Sequence, residues 1–331
     1  METLKSHVKR LAFDSGALSA WRGVRAPALT SILFHRVLPA GDPRAPAADR
    51  DYTMRLDIFE ACLDALRAWY CPVSLGDIEA AMAGRQALPG NALLITFDDG
   101  WEDTARYAVP ALQKRDMPSL IFITTGAIGR EDVPWRDIVA LALRAGALSL
   151  PDTATASPDA SRDGLDALLD WLDGMVPEER GRILQQALDT AGSRVRPLMM
   201  TPETLRKLAE DGVGLGGHGT SHIPLTTLVD VERELLQCQT EFKRLTGRVP
   251  RSFAFPHGLY SANVLTATRR SGYDLIFTSD RHLNPLRKGR PVSSVFGRIS
   301  MSERDVTDGS GAFSAQKLAY WLTLQPRKVA P

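Results

Sequence analysis

The stretch Ala92-Leu93-Leu94-Ile95-Thr96-Phe97-Asp98-Asp99-Gly100 decides how this chain is read. An apolar run of strand length ends on two adjacent carboxylates and a glycine. A second stretch repeats the design with imidazoles: Val213-Gly214-Leu215, then His218-Gly219-Thr220-Ser221-His222. Each predicts metal-capable side chains just past the end of a strand. Two imidazoles and one carboxylate make an open divalent-metal site with a coordination position left for water, and the adjacent carboxylate is a ready general base. The expected centre is that of a hydrolase.

Working outward, Ser31-Ile32-Leu33-Phe34 reads as a buried strand ending at His35-Arg36-Val37. Leu56, Phe59, Leu63, Leu66 and Tyr70 recur at helical spacing, and Ile78 to Met82 predicts a short helix stopped by Gly84. A helix over 103–114 contains Pro110, which predicts a kink or break there. Ser119-Leu120-Ile121-Phe122-Ile123 is the next strand. From 136 to 200 the rhythm changes to Ala- and Leu-rich helical spacing around a polar stretch at 151–162, which predicts a helical insertion. The α/β rhythm resumes at Thr201-Pro202, an N-cap followed by proline in the first turn. Val231, Leu235, Cys238, Phe242 and Leu245 form one helix stripe closed by Gly247. Phe253-Ala254-Phe255 leads into Pro256-His257-Gly258, Ser261 caps a helix, and Leu275–Thr278 and Val295–Ile299 are the last predicted strands.

About seven parallel strands with interleaved helices predict one barrel domain over 1–331. In such barrels the chemistry sits at the C-terminal strand ends. His35, Asp98-Asp99, His218 with His222, His257 and Arg298 all fall at such ends. At a strand end successive side chains point opposite ways, so one of the two Asp residues can bind metal while the other faces the substrate. Glycines around His218 and Pro224 beyond it predict a loop rather than a helix. The Glu of a zinc-protease His-Glu-x-x-His helix is missing, because Gly219 stands there. A backbone N–H near Pro256-His257-Gly258 is placed to stabilise a tetrahedral intermediate.

Composition narrows the class. The chain has 331 residues, 44% hydrophobic, with 40 Lys+Arg against 39 Asp+Glu. That balance supplies no field for nucleic acid or anionic lipid. The three cysteines, Cys62, Cys71 and Cys238, are too few and too odd for a disulfide framework, and Cys62 and Cys238 read as reduced core thiols. No signal-peptide core and no apolar run of roughly 18 residues is visible, so a cytoplasmic chain is expected. A weakly amphipathic segment over 8–24 allows peripheral membrane contact.

On these motifs the chain resembles the polysaccharide deacetylases of carbohydrate esterase family 4, the NodB-homology group. Thr96–Gly100 looks like the family's first motif, His218–His222 its second and Phe253–Gly258 its third. Ile32-Leu33-Phe34-His35-Arg36-Val37 resembles the opening strand of the branch found in exopolysaccharide loci. The resemblance implies a distorted (β/α)7 barrel that removes N-acetyl groups from a sugar in a polysaccharide, oligosaccharide or glycan precursor. It further implies that Asp98 is the base activating a metal-bound water. Asp99, His218 and His222 would hold the metal, Zn2+ first, with Co2+, Ni2+ or Mn2+ as alternatives. The His257 N–H would be the oxyanion donor. The chain departs from the family where Ala254 takes the place of an Arg that pairs with the base; Arg298 or Arg251 would replace it. The late Leu-x-His motif that supplies the general acid is absent, leaving His35 or His257 for that role. Trp135 resembles a substrate-lining aromatic. Competing readings are a hydrolase of a non-sugar amide on the same barrel and a non-catalytic carbohydrate-binding relative; the intact Asp98/Asp99/His218/His222 set argues against the latter.

Overall fold

The computed structural model describes residues 26–129 (apart from 43, 46 and 47), 174–191 and 199–324, together with 139, 148, 168, 171, 172, 328 and 329. The segment over 8–24, Trp135 and most of the predicted 136–200 insertion lie outside the described residues.

The frame is a curled parallel sheet. Its strands are β1 (Ala28–Phe34), β5 (Ala92–Phe97), β6 (Ser119–Ile123), β7 (Gly214–Gly217), β8 (Ser252–Ala254), β9 (Leu275–Phe277) and β12 (Val295–Phe296), neighbours in that order. The short strands β2 (Arg36–Leu38) and β3 (Thr53–Arg55) pair separately, and β4 (Cys71–Pro72) pairs with the start of β5. The ring closes through one stretch of chain. Phe296 pairs with Phe277 of β9, and β13 (Ile299–Ser300) pairs with Ile32 and Leu33 of β1. A single last strand was expected here; it is broken at Gly297-Arg298, where the chain crosses from β9 to β1. This is the (β/α)7 barrel of the expectation.

All residues of β1, β5 and β6 are buried, as strands covered on both faces must be. Their parity separates two cores. Leu94, Leu120, Phe122, Ala254, Phe277 and Phe296 belong to one cluster, which fills the barrel. Leu93, Ile95, Phe97, Ile121 and Ile123 belong to another, packed against α1 (Leu56–Trp69) through Phe59, Cys62, Leu63 and Leu66.

The helix signals largely act as read. Ser74 closes a capping box on Asp77 at the start of α2 (Leu75–Met82). Thr201 accepts from the Thr204 N–H ahead of α5 (Pro202–Glu210), and Gly247 ends α6 (Val231–Thr246) at φ 75°. Ser261 caps α7 (Ala262–Arg270). One expectation is corrected. The helix over 103–114 does not break at Pro110: residues Thr104–Ala108 form a wide π-helical turn that runs directly into α3 (Val109–Gln113), and Pro110 sits just past that junction. The strands after β9 were also under-read. β10 (His282–Arg287) runs antiparallel to β1 and forms a hairpin with β11 (Arg290–Pro291). Between β6 and α5 the structure shows α4 (Pro177–Ala191), and Val139, Leu168, Leu172 and Leu184 share an apolar cluster with Trp101 and Met199. Cys62 and Cys238 are buried and free; Cys71 is free and exposed. Among the described residues no helix is long and apolar enough to cross a membrane.

Candidate active site

The parity of β5 carries straight into the site. Leu94 faces the barrel interior, so Thr96 and Asp98 follow it inward, and both meet Arg298 there. Arg298 is fully buried. Its guanidinium clasps Asp98 in a two-pronged ion pair, Nη1 to Oδ1 at 2.6 Å and Nη2 to Oδ2 at 2.9 Å. Nε donates to the Thr278 carbonyl at 3.0 Å, and the group lies 5.1 Å over the Phe122 ring. Burial pushes the Asp98 carboxyl up, but the charges of Arg298 and His218 outweigh it and hold Asp98 below the ordinary carboxylate value. Arg251, the other candidate partner, pairs with Asp274 at an exposed position instead.

Asp99 leaves the strand. At φ 78° it occupies the left-handed region, so its side chain turns toward β7 rather than outward. Its Oδ1 lies 3.4 Å from His218 Nε2 and 3.1 Å from His222 Nε2. Burial pushes this carboxyl up as well; the facing imidazoles prevail and hold it well below the ordinary range. His222 (φ 59°) and His257 (φ 57°) are also left-handed. Three of the five non-glycine residues with positive φ among those described thus stand in this site, which places the stored backbone strain here.

The loop carrying the two His residues is tied on several sides. His218 Nδ1 donates to the Ala254 carbonyl at 2.8 Å, which fixes the ring with Nε2 turned toward Asp99. Glu234, from the first turn of α6, accepts from the Thr220 and Ser221 N–H groups at 2.7 and 2.8 Å and from Ser221 Oγ at 2.9 Å. Gly219 is left-handed (φ 77°), and a Cβ there would stand 3.2 Å from Glu234 Oε1. Glycine meets both demands without strain. The Gly126 N–H donates to the Thr220 carbonyl, so close that a Cβ on Gly126 would lie 2.4 Å from that oxygen. His257 Nε2 donates to the His222 carbonyl at 3.1 Å.

His35 stands at the end of β1, half-buried, its ring edge-on to Tyr52 at 4.7 Å. Burial lowers its pKa first of all, and the charges of Asp99 and Asp98 pull it back up in part.

Asp99, His218 and His222 fit a metal ion. Their donor atoms all lie within 4.8 Å of one another. Asp99 Oδ1 is buried with no hydrogen-bond partner. A buried carboxylate oxygen facing two imidazole nitrogens is the kind of donor set a divalent cation takes. The structure brings His35, Asp98, Asp99, His218, His222, His257 and Arg298 to one end of the barrel, and leaves Arg251 away from it. Reading the sequence missed Glu234 and Trp101, whose indole N–H donates to Asp99 Oδ2 at 2.9 Å.

A parallel barrel with carboxylates, imidazoles and a buried arginine at its strand ends is built as a hydrolase. Residues 85–276 match the polysaccharide deacetylase family, and the chain belongs to that family; it is a carbohydrate N-deacetylase. No sequence among curated proteins matches it significantly. Solved structures share its fold. IcaB from Ammonifex degensii is 21% identical with a TM-score of 0.58, covering 90% of this chain and 98% of that one. The Streptococcus pyogenes deacetylase PplD, in complex with acetate, is 15% identical with a TM-score of 0.57, covering 92% and 100%. A de-N-acetylase from Aggregatibacter actinomycetemcomitans is 15% identical with a TM-score of 0.54, covering 82% and 93%.

Proposed function

We propose that the chain hydrolyses the N-acetyl group of an N-acetylhexosamine within an exopolysaccharide or its precursor, using a divalent metal held by Asp99, His218 and His222. The observation that carries the metal is the partnerless, buried Oδ1 of Asp99 between two imidazole nitrogens. When bound, a divalent ion, Zn2+ first, supplies an acidified water and polarises the amide carbonyl.

The protein's own residues do the rest. Asp98 is ionised, inward-facing and locked by Arg298, so it is placed to take the proton from the attacking water. Arg298 is a positioning residue, acting through Asp98. The backbone N–H of His257, held in a left-handed turn, is the oxyanion donor. The leaving amine must be protonated, because an amide anion leaves very poorly. His35 is the donor. Burial makes its imidazolium a stronger acid than the free ring, and Asp98 and Asp99 lie near enough to favour its protonated form. The ring of His257 is less suited, since its Nε2–H already holds the His222 carbonyl. The exopolysaccharide assignment is supported by the Phe34-His35-Arg36-Val37 opening and by the fold shared with IcaB.

The test combines metal analysis with acetate release from a panel of N-acetylhexosamine oligomers and lipid-linked glycans. Acetate release with about one metal per chain, both lost in His218→Ala, is the expected result. Acetate release that survives in metal-free His218→Ala would overturn the metal reading. Release only from non-sugar amides would overturn the substrate.

A further inference from the structure

Trp101 stands between Asp99 and a cluster of apolar side chains, and it touches both. Its indole N–H donates to Asp99 Oδ2 at 2.9 Å, which occupies one carboxylate oxygen and leaves Oδ1 alone toward the imidazoles. The ring is 4% exposed. On the barrel side, the Arg36 guanidinium sits 4.3 Å from the ring centroid. Arg36 is itself fixed by two bonds to the fully buried Asp103, at 2.9 and 2.8 Å, and Asp103 also accepts from the Val37 N–H at 3.1 Å. On the other side the indole joins the cluster of Val139, Leu168, Leu172, Leu184 and Met199. The backbones meet as well: Trp101 bridges Met199, and the Met200 N–H donates to the Gly100 carbonyl at 3.0 Å.

Asp99 needs such a clamp. It lies past the end of its strand in a strained left-handed conformation; the Thr124 N–H donates to its carbonyl at 3.2 Å, but that backbone bond leaves the carboxylate free to rotate. We propose that Trp101 is a positioning residue that sets how Asp99 ligates the metal, and that Leu168, Leu172, Leu184 and Met199 serve this site by holding the indole in place. This rests on the metal-site reading above. Groups that orient a metal's ligands from behind are commonly worth 10- to 100-fold in metal affinity.

Trp101→Phe removes the donor and keeps the ring. The dissociation constant for Zn2+, measured by competition with a chromophoric chelator, should rise by about 10- to 100-fold. The visible absorption bands of the Co2+-loaded protein should change, because Asp99 is free to rotate or to bind through both oxygens. The far-ultraviolet circular dichroism of the metal-free protein should not change. Leu172→Ala loosens the cluster without touching the site, and should weaken Zn2+ by a smaller factor in the same direction. Unchanged affinity and an unchanged Co2+ spectrum in Trp101→Phe would overturn the positioning role. Unchanged affinity in Leu172→Ala would overturn the role given to the cluster. A wild-type protein that binds no divalent metal would instead overturn the metal site itself.

Discussion

The two halves of this site treat neighbouring carboxylates in opposite ways. On the barrel side, both oxygens of Asp98 are taken up by a buried guanidinium. On the loop side, one oxygen of Asp99 is held by Trp101 and the other is left without a donor between two imidazoles. Desolvation costs both groups alike, so the difference lies in pairing. A fully paired buried carboxylate can be held in one orientation for proton transfer; one with an oxygen open toward imidazole nitrogens is suited to share a cation with them. On the proposed function one peptide bond separates the catalytic half from the binding half, and the change of backbone region at Asp99 turns the two side chains apart.

The comparison can be broken first at Arg298. Arg298→Met leaves Asp98 buried and unpaired, and should cost about 3–5 kcal/mol in urea unfolding, with activity lost as well. Adding Asp98→Asn should restore a large part of the stability but none of the activity. Equal instability of the single and double variants would mean that Arg298 acts through packing rather than through Asp98.

A smaller effect is expected at His35, which lies beside both halves. His35→Ala should lower kcat by about 10²-fold with metal content intact. Burial keeps this imidazole below the ordinary value of about 6.5, so its protonated form is lost as pH rises through a lower value. The alkaline limb of the wild-type kcat profile should therefore lie below that value and should flatten in the variant. A wild-type kcat with an unchanged profile would remove His35 from the mechanism.

The smallest effect sharpens the comparison away from the site. Asp42 is buried and, like Asp98, fully paired: it accepts from Arg44 at 2.8–2.9 Å and from the Tyr107 hydroxyl at 3.0 Å. The hydrogen bonds from the Arg44 side chain hold its carboxyl well below the ordinary range. A depressed folded pKa contributes stability that is complete above the unfolded value of about 3.9 and is lost as pH falls toward the folded one. Asp42→Asn should cost roughly 1–3 kcal/mol at pH 7. The gap between wild type and variant should close as pH drops from about 5 to 2. A gap independent of pH would show that the carboxylate charge is not what stabilises this corner.

Much of this was legible in the sequence because strand parity is local. Once Ala92–Phe97 is read as a strand, Leu94, Thr96 and Asp98 must share a face, and the inward placement of Asp98 follows. The caps at Thr201 and Ser261 and the stop at Gly247 were equally local. What escaped depends on distance along the chain. Glu234 lies 13 residues from Ser221, and no short-range pattern marks it as the anchor of the His loop. The β10–β11 hairpin has a polar first strand containing Pro285 and turns at Lys288-Gly289, so it reads as loop. Trp101 is only two residues from Asp99, yet its role appears only when the left-handed turn at Asp99 folds the two side chains together.

The division of labour between the two carboxylates is tested most directly by measuring metal content by mass spectrometry in Asp98→Asn and Asp99→Asn side by side, with turnover on the same samples. Asp98→Asn should keep about one metal per chain and lose on the order of 10²–10⁴-fold in rate, whereas Asp99→Asn should lose the metal. Equal metal loss in the two variants, or full metal in Asp99→Asn, would contradict it.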